Sequence, residues 1–310
     1  IVSGTTITYQ PTTGYAGPDS FSYTASNGGG TSAPATVSIT VQDPVITITA
    51  SGGFAATVAA PYTQTFTFNG GAQPWSSFQV SNLPAGVSIT GTTANTVTIS
   101  GTPTQAGSFN LTVSASDSSA GNGPYVVGQA FSLTVAPPTL AMTPAPGTLN
   151  APYATSFTQA FIASGGSGPY SYAITGALPT GLSFSAGTIS GSPTVSGNYP
   201  ITITATDTGS TGAGAPFTIA RNYTINVPSP VIAVNPATLP NTIAGQTYTQ
   251  TLTATGGASP YAFAVSAGSL PSGLTLASGG ALSGTTTTSG TFNFTVTATD
   301  SFGQTGSRAY

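Results

Sequence analysis

The sequence has no cysteine, histidine, lysine or glutamate, and its only charged residues are two arginines and five aspartates. An ordinary soluble protein carries about 25% charged residues. The absence of cysteine excludes disulfides and thiolate metal sites. A Ser–His pair, a thiolate nucleophile and a Schiff-base lysine are excluded as well, and dispersed aspartates offer no paired acid and base. We therefore predict no catalytic residue, no bound cofactor and no enzymatic activity.

Basic clusters and long apolar runs are also absent. Arg221 and Arg308 are too few and too far apart to form a patch for nucleic acid or anionic lipid. No apolar run approaches about 18 residues, so we expect no membrane insertion in this segment. The start, Ile-Val-Ser-Gly, has neither Met nor a signal-peptide pattern, which is typical of an interior piece. A net charge of −3 gives little repulsion, so we expect association with neighbouring copies of itself or with other modules of the same long chain.

What the sequence does contain is a repeat. The stretch Tyr248–Asp300 has two earlier copies, and the aspartates that end the copies, Asp117, Asp207 and Asp300, stand 90 and 93 residues apart. This period is that of a small domain, since solenoid repeats run to only about 20 to 50 residues. The shared residues are Gly-Gly, Pro-aromatic, Leu-Pro-x-Gly, Ser-Gly-[Ser/Thr], Gly-x-aromatic and Ala-x-Asp.

Each copy contains short segments in which apolar residues alternate with Thr and Ser. This period of two is typical of half-buried strands, and no stretch carries a helical period with caps. We therefore predict an all-β fold, a tandem array of antiparallel immunoglobulin-like β-sandwiches. In the first complete copy the predicted strands are Val45–Ala50, Tyr62–Phe68, Phe78–Val80, Val87–Thr90, Thr96–Ser100, Phe109–Ser116 and Ala130–Val135.

The copies define four predicted modules. Residues 1–43 align with the second half of a module, residues 44–137 and 138–229 form two complete modules, and residues 230–310 form a module that lacks its last strand. That strand appears earlier as Ser132–Val135 and Thr224–Val227. The proline-containing joints are short, so we expect stiff connections. The incomplete ends are consistent with strand donation between chains, or with a longer chain of which this is one part.

The series Y-x-Q-x-L, GG-x-x-PY, LP-x-GL, G-x-L-S-G-T and G-x-[FY]-x-[FL]-T-V-x-A-x-D resembles the immunoglobulin-like, cadherin-like tandem repeats of large bacterial surface and secreted proteins. The resemblance implies an extracellular, cell-surface localisation. It also implies a structural or adhesive role as a stiff spacer, adhesin stalk or filament-forming segment, with cell-surface glycans or proteins as further partners. The alternative is a carbohydrate-binding or accessory non-catalytic module of a large secreted enzyme.

The aspartates are the candidate metal ligands. Asp117, Asp207 and Asp300 stand where a strand ends and a Gly/Ser-rich hairpin begins, Asn27 has that place in the opening piece, and Asp43 lies at a joint. Calcium takes about six to eight oxygens, several of them from clustered carboxylates. Each module has only one such carboxylate, so the favoured interpretation is an Asx-type turn, in which the side chain accepts hydrogen bonds from backbone amides.

Trp75 is the candidate ligand-binding residue, because carbohydrate sites use exposed aromatic faces. Tyr170 and Tyr261 have the same place in the later modules, and this recurrence favours packing at the start of a strand. Gln64 and its copies share a sheet face with apolar residues, so we expect these amides to be partly buried and bonded to the backbone of a neighbouring loop.

Two sets of glycines are predicted to occupy turns with positive φ. They are Gly86, Gly181 and Gly273, and Gly107, Gly197 and Gly290. From the small number of titrating groups, stability is expected to change little between neutral and acidic pH.

Overall fold

A computed structural model describes residues 2–3 and 6–310 of the chain. Within these residues every regular element is a β-strand. Ile1, Gly4 and Thr5 belong to the predicted opening piece and lie outside the described residues.

The strands are numbered in chain order. Residues up to 137 contain β1 (Val2–Ser3), β2 (Thr6–Ile7), β3 (Tyr15–Tyr23), β4 (Ser26–Asn27), β5 (Gly30–Thr31), β6 (Ala35–Val41), β7 (Thr47–Ser51), β8 (Ala55–Thr57), β9 (Tyr62–Asn69), β10 (Ser76–Ser81), β11 (Val87–Thr92), β12 (Thr96–Gly101), β13 (Gln105–Ser116), β14 (Ala120–Gly121) and β15 (Val126–Ala136). Residues 138–229 contain β16 (Ala141–Thr143), β17 (Gly147–Asn150), β18 (Phe157–Ala160), β19 (Ile162–Ser164), β20 (Tyr170–Thr175), β21 (Leu182–Ser185), β22 (Thr188–Gly191), β23 (Gly197–Asp207), β24 (Thr211–Gly212) and β25 (Phe217–Val227). Residues 230–310 contain β26 (Ala233–Asn235), β27 (Thr247–Thr251), β28 (Thr253–Thr255), β29 (Ala262–Gly268), β30 (Leu274–Leu276), β31 (Ala281–Thr285), β32 (Phe294–Thr299) and β33 (Thr305–Ala309).

The first complete module folds as a sandwich of two sheets. One sheet has the order β11-β12-β9-β7 and the other has the order β10-β13-β15-β8. The strands of this module pair antiparallel except at one edge, where β8 lies parallel to β15 with Ala55 aligned to Thr134. Two packed antiparallel sheets, with β7 at the edge of one sheet and β8 at the edge of the other, are typical of the immunoglobulin fold. The predicted all-β, immunoglobulin-like fold class is confirmed.

The core of this sandwich lies between the two sheets because the strands alternate. Phe66 and Phe68 of β9, Ile99 of β12 and Leu111 and Val113 of β13 are fully buried, while the residues between them are partly or fully exposed. Burial of one such side chain contributes about 1.5–3 kcal/mol. The apolar inner face is therefore the main source of stability for a module that has so few charges.

By contacts, the chain divides into two compact units. The first contains residues 1–141, 164–170 and 206–218, and the second contains residues 142–163, 171–205 and 219–310. The first unit thus comprises the opening piece, the first sandwich and two loops of the predicted second module. Phe217, the first residue of β25, joins the core cluster of the first sandwich, and Leu140 packs against this cluster.

The later modules repeat the strand order. Residues 138–229 form the sheets β17-β25-β23-β20, β18-β22-β21 and β16-β19, and residues 230–310 form β29-β32-β33, β27-β31-β30 and β26-β28. In the second unit, the core of the third module is built around Leu252, Leu282 and Val296, each of which is at most 1% exposed.

The opening piece contains half of this arrangement. β3 pairs with β6 so that Gly17 lies opposite Val41, which is the register of Gly107 and Val135 in β13 and β15. Phe21, on the inner face, is only half-buried. Two strands without a second sheet to cover them leave their apolar face partly in water, as expected.

The third module contains β33, which corresponds to the first part of β15. It pairs with β32 so that Thr305 lies opposite Thr299, as Val126 lies opposite Ser116 in the first module. β33 was not among the predicted strands because its sequence, Thr-Gly-Ser-Arg-Ala, lacks the alternating β-branched and aromatic residues that signal a strand. The ladder that it makes with β32 decides its conformation. The segment predicted to be absent is a different one, the counterpart of Ser132–Val135.

Two further strands were not predicted. β8 is Ala-Ala-Thr and carries no alternation of large side chains, and it forms because the edge of β15 is available for parallel pairing. β14 is Ala-Gly and pairs only with β3 of the opening piece. Both strands are specified by their partners, which explains why local sequence did not indicate them.

Candidate functional site: the aspartate turns and the joints

Each complete module has a buried aspartate at the end of one central strand. Asp117 is 2% exposed, Asp207 is 0% exposed and Asp300 is 5% exposed. The Asp117 carboxylate accepts hydrogen bonds from the amides of Ala72 (3.0 Å), Ser119 (3.2 Å) and Tyr125 (2.8 Å), and from the Ser119 hydroxyl. It therefore ties the turn before β10 to the hairpin between β13 and β15.

The same aspartate turn recurs in the next two modules. In each, the carboxylate accepts an amide from the preceding Gly-Gly turn, amides from its own hairpin and one hydroxyl. The donors to Asp207 are the amides of Ser167 (3.1 Å), Gly209 (3.2 Å) and Ser210 (3.3 Å) and the Ser210 hydroxyl, and those to Asp300 are the amides of Ala258 (3.1 Å), Phe302 (2.9 Å) and Gln304 (2.8 Å) and the Tyr153 hydroxyl (2.9 Å). These are the backbone bonds of the predicted Asx-type turn.

These aspartates explain the Gly-Gly signature. A Cβ at Gly71 would lie 2.6 Å from Asp117 Oδ2, and one at Gly257 would lie 2.8 Å from Asp300 Oδ2. A Cβ at Gly166 would overlap Asp207 in the same way. The second glycine therefore leaves room for the carboxylate to reach the amide of the residue that follows it.

The aspartate turns lead to a different prediction for the effect of acid on stability than the small number of titrating groups does. Burial alone would raise the pKa of Asp117, Asp207 and Asp300, but the hydrogen bonds from hydroxyls and amides outweigh burial and hold each pKa below the ordinary 3.8. A depressed pKa stabilises the fold above the unfolded-state pKa and ceases to do so as pH falls through the folded-state pKa.

We therefore expect a melting temperature that is flat between neutral pH and about pH 5 and that falls progressively below about pH 4. Scanning calorimetry at a series of pH values down to about 2 measures this directly. A melting temperature that stayed level to the lowest pH would mean that the three carboxylates make no net contribution to stability.

Asp43, the fourth candidate metal ligand, lies apart from the buried aspartates. It is exposed and accepts a hydrogen bond from the Tyr125 hydroxyl, which raises the pKa of Tyr125 to about 12. In the residues that the structure describes, no three acidic, His or Cys side chains converge as a metal-ligand set. The oxygens of the buried carboxylates face N–H and O–H donors.

Trp75 and Gln64 both lie inside the first sandwich. The Trp75 ring is 4% exposed and packs against Phe68 with 5.1 Å between ring centroids, so neither face of the indole is open for stacking on a sugar. Gln64 is 1% exposed, and its Nε2 donates to the carbonyl of Ser51 (2.7 Å). The expected backbone bond from a buried amide is therefore present at Gln64.

Both predicted sets of turn glycines have positive φ. The angles are 88°, 94° and 92° at Gly86, Gly181 and Gly273, and 144°, 145° and 144° at Gly107, Gly197 and Gly290. Positive φ at these positions is confirmed.

The hairpin after Asp117 also contacts the opening piece through backbone atoms. The amide of Ala120 donates to the carbonyl of Gly14 (2.8 Å), and that of Asn122 donates to the carbonyl of Ala16 (2.9 Å). β14 thereby lies parallel to the start of β3. This contact joins the opening piece to the first complete module.

The hairpin after Asp207 makes the same contact with the first sandwich. The amide of Thr211 donates to the carbonyl of Thr104 (2.9 Å), and that of Ala213 donates to the carbonyl of Ala106 (3.0 Å). β24 lies parallel to the start of β13. We call each of these contacts a joint bridge, and the hairpin segments 118–124 and 208–216 that form them hairpin arms.

A glycine at the tip of each hairpin arm permits the close approach. Gly121 has a φ of 81° and Gly212 a φ of 93°. A Cβ at either position would overlap a carbonyl oxygen across the bridge, that of Ala16 or of Ala106. Sequence reasoning missed the joint bridges, although the greater length of the first two hairpins and the shared glycine were visible signals.

In the second unit, a side chain takes the place of a hairpin arm. The hairpin after Asp300 is short, and Asp300 instead accepts the Tyr153 hydroxyl from the preceding module. The Tyr153 ring also meets Phe302 edge-on, with 6.2 Å between centroids. Burial and the bond to Asp300 raise the pKa of Tyr153 to about 12.

The sandwiches, the aspartate turns and the joint bridges define a tandem array of immunoglobulin-like domains. A family model described as "Putative Ig domain" matches residues 43–136, 134–228 and 230–310, and one described as "Bacterial Ig domain" matches residues 1–40. The chain therefore belongs, over residues 43–310, to the "Putative Ig domain" family. The resemblance stated from the sequence is confirmed.

Two solved structures match this chain at low sequence identity. A three-domain immunoglobulin fragment of titin is 13% identical, with 86% of this chain and 96% of that chain covered and a TM-score of 0.37. The protocadherin gammaB4 extracellular domain is 16% identical with a TM-score of 0.28, and the match covers 94% of this chain but only 55% of that one. No match was found among curated proteins.

Families of immunoglobulin domains are typically non-catalytic, and bacterial immunoglobulin domains are usually extracellular or surface-associated. The described part of the chain contains no helix long and apolar enough to span a bilayer.

Proposed function

We propose that this chain is an extracellular spacer in a larger bacterial surface protein, with modules that are held to one another by backbone pairing. The observation that carries the proposal is the repeated joint bridge. At two successive joints, a hairpin arm of one module adds a short parallel strand to the preceding module. A connection that recurs with the same geometry is what a spacer needs if each joint is to resist bending.

The chemistry of the bridge suits a chain that is nearly without charge. Each bridge consists of amide-to-carbonyl hydrogen bonds, each worth about 1 kcal/mol net, and it encloses the small side chain of Ala16 or Ala106, each 3% exposed. Exposed ion pairs are screened by salt, whereas these contacts do not depend on charge. The proposed spacer therefore keeps its joints over a wide range of salt concentration.

The proposed partners follow from the joint bridges. They are neighbouring modules of the same chain or further copies of it, and we assign adhesion to surface proteins or glycans to other segments of the larger protein. A glycan-binding role for Trp75 gains no support, because the indole ring lies in the core.

A loosened joint bridge is expected to let the opening piece and the first complete module move relative to each other. The chain has no cysteine, so Ser38→Cys and Thr112→Cys, both at exposed positions, place two spin labels without background. We expect pulsed electron paramagnetic resonance to give a narrow distance distribution in the parent chain. Gly121→Ala should widen that distribution about twofold or more, because the added Cβ overlaps the carbonyl oxygen of Ala16.

The matched control is Gly53→Ala, at an exposed glycine with nothing within 4 Å of an added Cβ. It should leave the distribution unchanged. A parent distribution that is already broad, or a Gly121→Ala distribution as narrow as the parent's, would defeat the spacer proposal.

A further inference from the structure

The joint between the second and third complete modules, which we call the third joint, is built differently from the two bridged joints. In the third module, residues 301–303 separate Asp300 from Gln304, whose amide closes the aspartate turn (2.8 Å). In the first module, residues 118–124 lie between the same two places of the turn and form a hairpin arm. The third hairpin is therefore too short to reach the preceding module with its backbone.

The short hairpin also has no amide free for a bridge. Ser301 donates to the carbonyl of Ala258 (3.0 Å), Phe302 donates to the carboxylate of Asp300 (2.9 Å), and Gly303 donates to the carbonyl of Asp300 (3.1 Å). All of these acceptors belong to the third module itself. A joint bridge, by contrast, uses two amides that point away from their own module.

The second module nevertheless retains the acceptor site for a hairpin arm. In both joint bridges, the accepting carbonyls lie three residues and one residue before a glycine with positive φ. The same positions before Gly197 are Thr194 and Ser196. Among the described residues, no backbone amide donates to either carbonyl. Val195 between them is 44% exposed, so this edge is uncovered at the third joint.

The hydrogen bond that crosses the third joint is made by a side chain. The Tyr153 hydroxyl donates to Asp300 (2.9 Å), and the Tyr153 ring meets Phe302 edge-on. Phe302 remains 48% exposed, so the ring contact buries little area. Within the described residues, the core cluster of the third module takes no side chain from the second module. Relative motion is the default for modules that share no large apolar interface.

We infer that the third joint is the hinge of this array and that Tyr153 is the side chain that holds it closed. The bridged joints fix neighbouring modules by paired backbone, whereas the third joint opens when the Tyr153 hydroxyl leaves Asp300. A hinge needs only a few residues whose torsion angles change. The connecting residues Val227–Pro230 provide them, because proline fixes φ and leaves ψ to rotate. The hinge rests on the proposed spacer function for its use, since it sets the position at which the spacer bends.

The first test grafts a hairpin arm onto the third joint of the complete chain. Residues 118–124 replace residues 301–303, in a turn that follows Gly-Gly-Ala in both modules. Thr158→Cys and Thr249→Cys, both at exposed positions, carry the spin labels. We expect the graft to narrow the distance distribution about twofold or more, because paired backbone replaces a side-chain contact. The control is the same graft with Gly121→Ala at its tip, where a Cβ overlaps the carbonyl across a bridge, and it should stay as broad as the parent chain.

The second test removes the hydroxyl that holds the joint closed. Tyr153→Phe keeps the ring and loses the bond to Asp300, so the distribution between the same two labels should broaden further. The matched control is Tyr199→Phe, whose hydroxyl bonds to carbonyls of its own module, and it should leave the distribution unchanged. A Tyr153→Phe distribution equal to the parent's overturns the role of Tyr153.

The outcomes separate the hinge from the spacer. A parent distribution at the third joint as narrow as that between Ser38→Cys and Thr112→Cys overturns the hinge and leaves the spacer proposal standing. A broad distribution at that first joint defeats the spacer proposal, and the graft still decides whether the third joint is loose for want of a bridge. A folded graft that fails to narrow the distribution overturns the inference.

Discussion

Replacement of Asp117 by alanine is expected to lower the free energy of unfolding of the first complete module by about 3–5 kcal/mol. The change removes the acceptor for the amides of Ala72, Ser119 and Tyr125 at a site that is only 2% exposed. A buried amide without a partner costs about 1–3 kcal/mol, and several are released together. This loss is a large part of the stability of a small domain, which is about 5–15 kcal/mol.

The single tryptophan provides a readout for this module. Trp75 lies in the core of the first sandwich, so its fluorescence during urea unfolding reports this module. Ser118→Ala, at the exposed neighbouring position, is the matched control and should change the free energy by less than about 0.5 kcal/mol. Asp117→Asn retains one acceptor oxygen, so its loss of unfolding free energy should lie between the losses for Asp117→Ala and Ser118→Ala. A loss below about 1 kcal/mol for Asp117→Ala would mean that water replaces the carboxylate at little cost.

The aspartate turn also bears on the joints. The hairpin arm that bridges to the opening piece begins directly after Asp117, and its return is held by the bond from the Tyr125 amide. Loss of the carboxylate frees the base of the arm, so the backbone bonds from Ala120 and Asn122 lose their support. We therefore expect Asp117 to be a structural residue that positions the contact between the opening piece and the first complete module.

The fold could be predicted from the sequence because the alternation of apolar and polar residues in the strands matches the burial of those residues in the structure. Segments such as Tyr62–Phe68 and Phe109–Ser116 alternate strictly, and the alternation alone specifies which side chains face the core. The repeated glycines marked turns that need positive φ, and the isolated aspartates marked turns that need a backbone acceptor. In each case the physical requirement is satisfied within a few residues of the signal.

The joint bridges could not be predicted in the same way. β14 and β24 are two-residue strands of small residues, and they exist only because the start of another module's strand offers free carbonyls. β33 has no strand pattern and is specified by its ladder with β32. Contacts that are made by the backbone between distant segments leave little trace in side-chain pattern, apart from the glycines that allow the close approach.

Gly101→Ala is expected to be as damaging as the loss of Asp117, with a decrease in the free energy of unfolding of at least about 3 kcal/mol. Gly101 ends β12 with a φ of 150° and lies between two partner strands, opposite Val87 of β11 and Tyr62 of β9. A Cβ would overlap the carbonyl oxygen of Gly86 and lie 3.0 Å from Val87 Cα. Because those atoms belong to the backbone, the clash cannot be relieved by rotating a side chain.

Gly91→Ala provides the control in the neighbouring strand β11. Nothing lies within 4 Å of a Cβ at Gly91. The free energy of unfolding of this variant, measured by Trp75 fluorescence, should therefore lie within about 0.5 kcal/mol of that of the parent chain. The equivalent glycines Gly191 and Gly284 have φ values of 132° and 145° and meet the carbonyls of Gly181 and Gly273 in the same way. If Gly101→Ala and Gly91→Ala had the same free energy of unfolding, the close approach of Gly101 to the Gly86 carbonyl would not explain the Ser-Gly-[Ser/Thr] signature. A large difference between the two variants would identify the approach of these strands as the reason for the repeated glycine in all three modules.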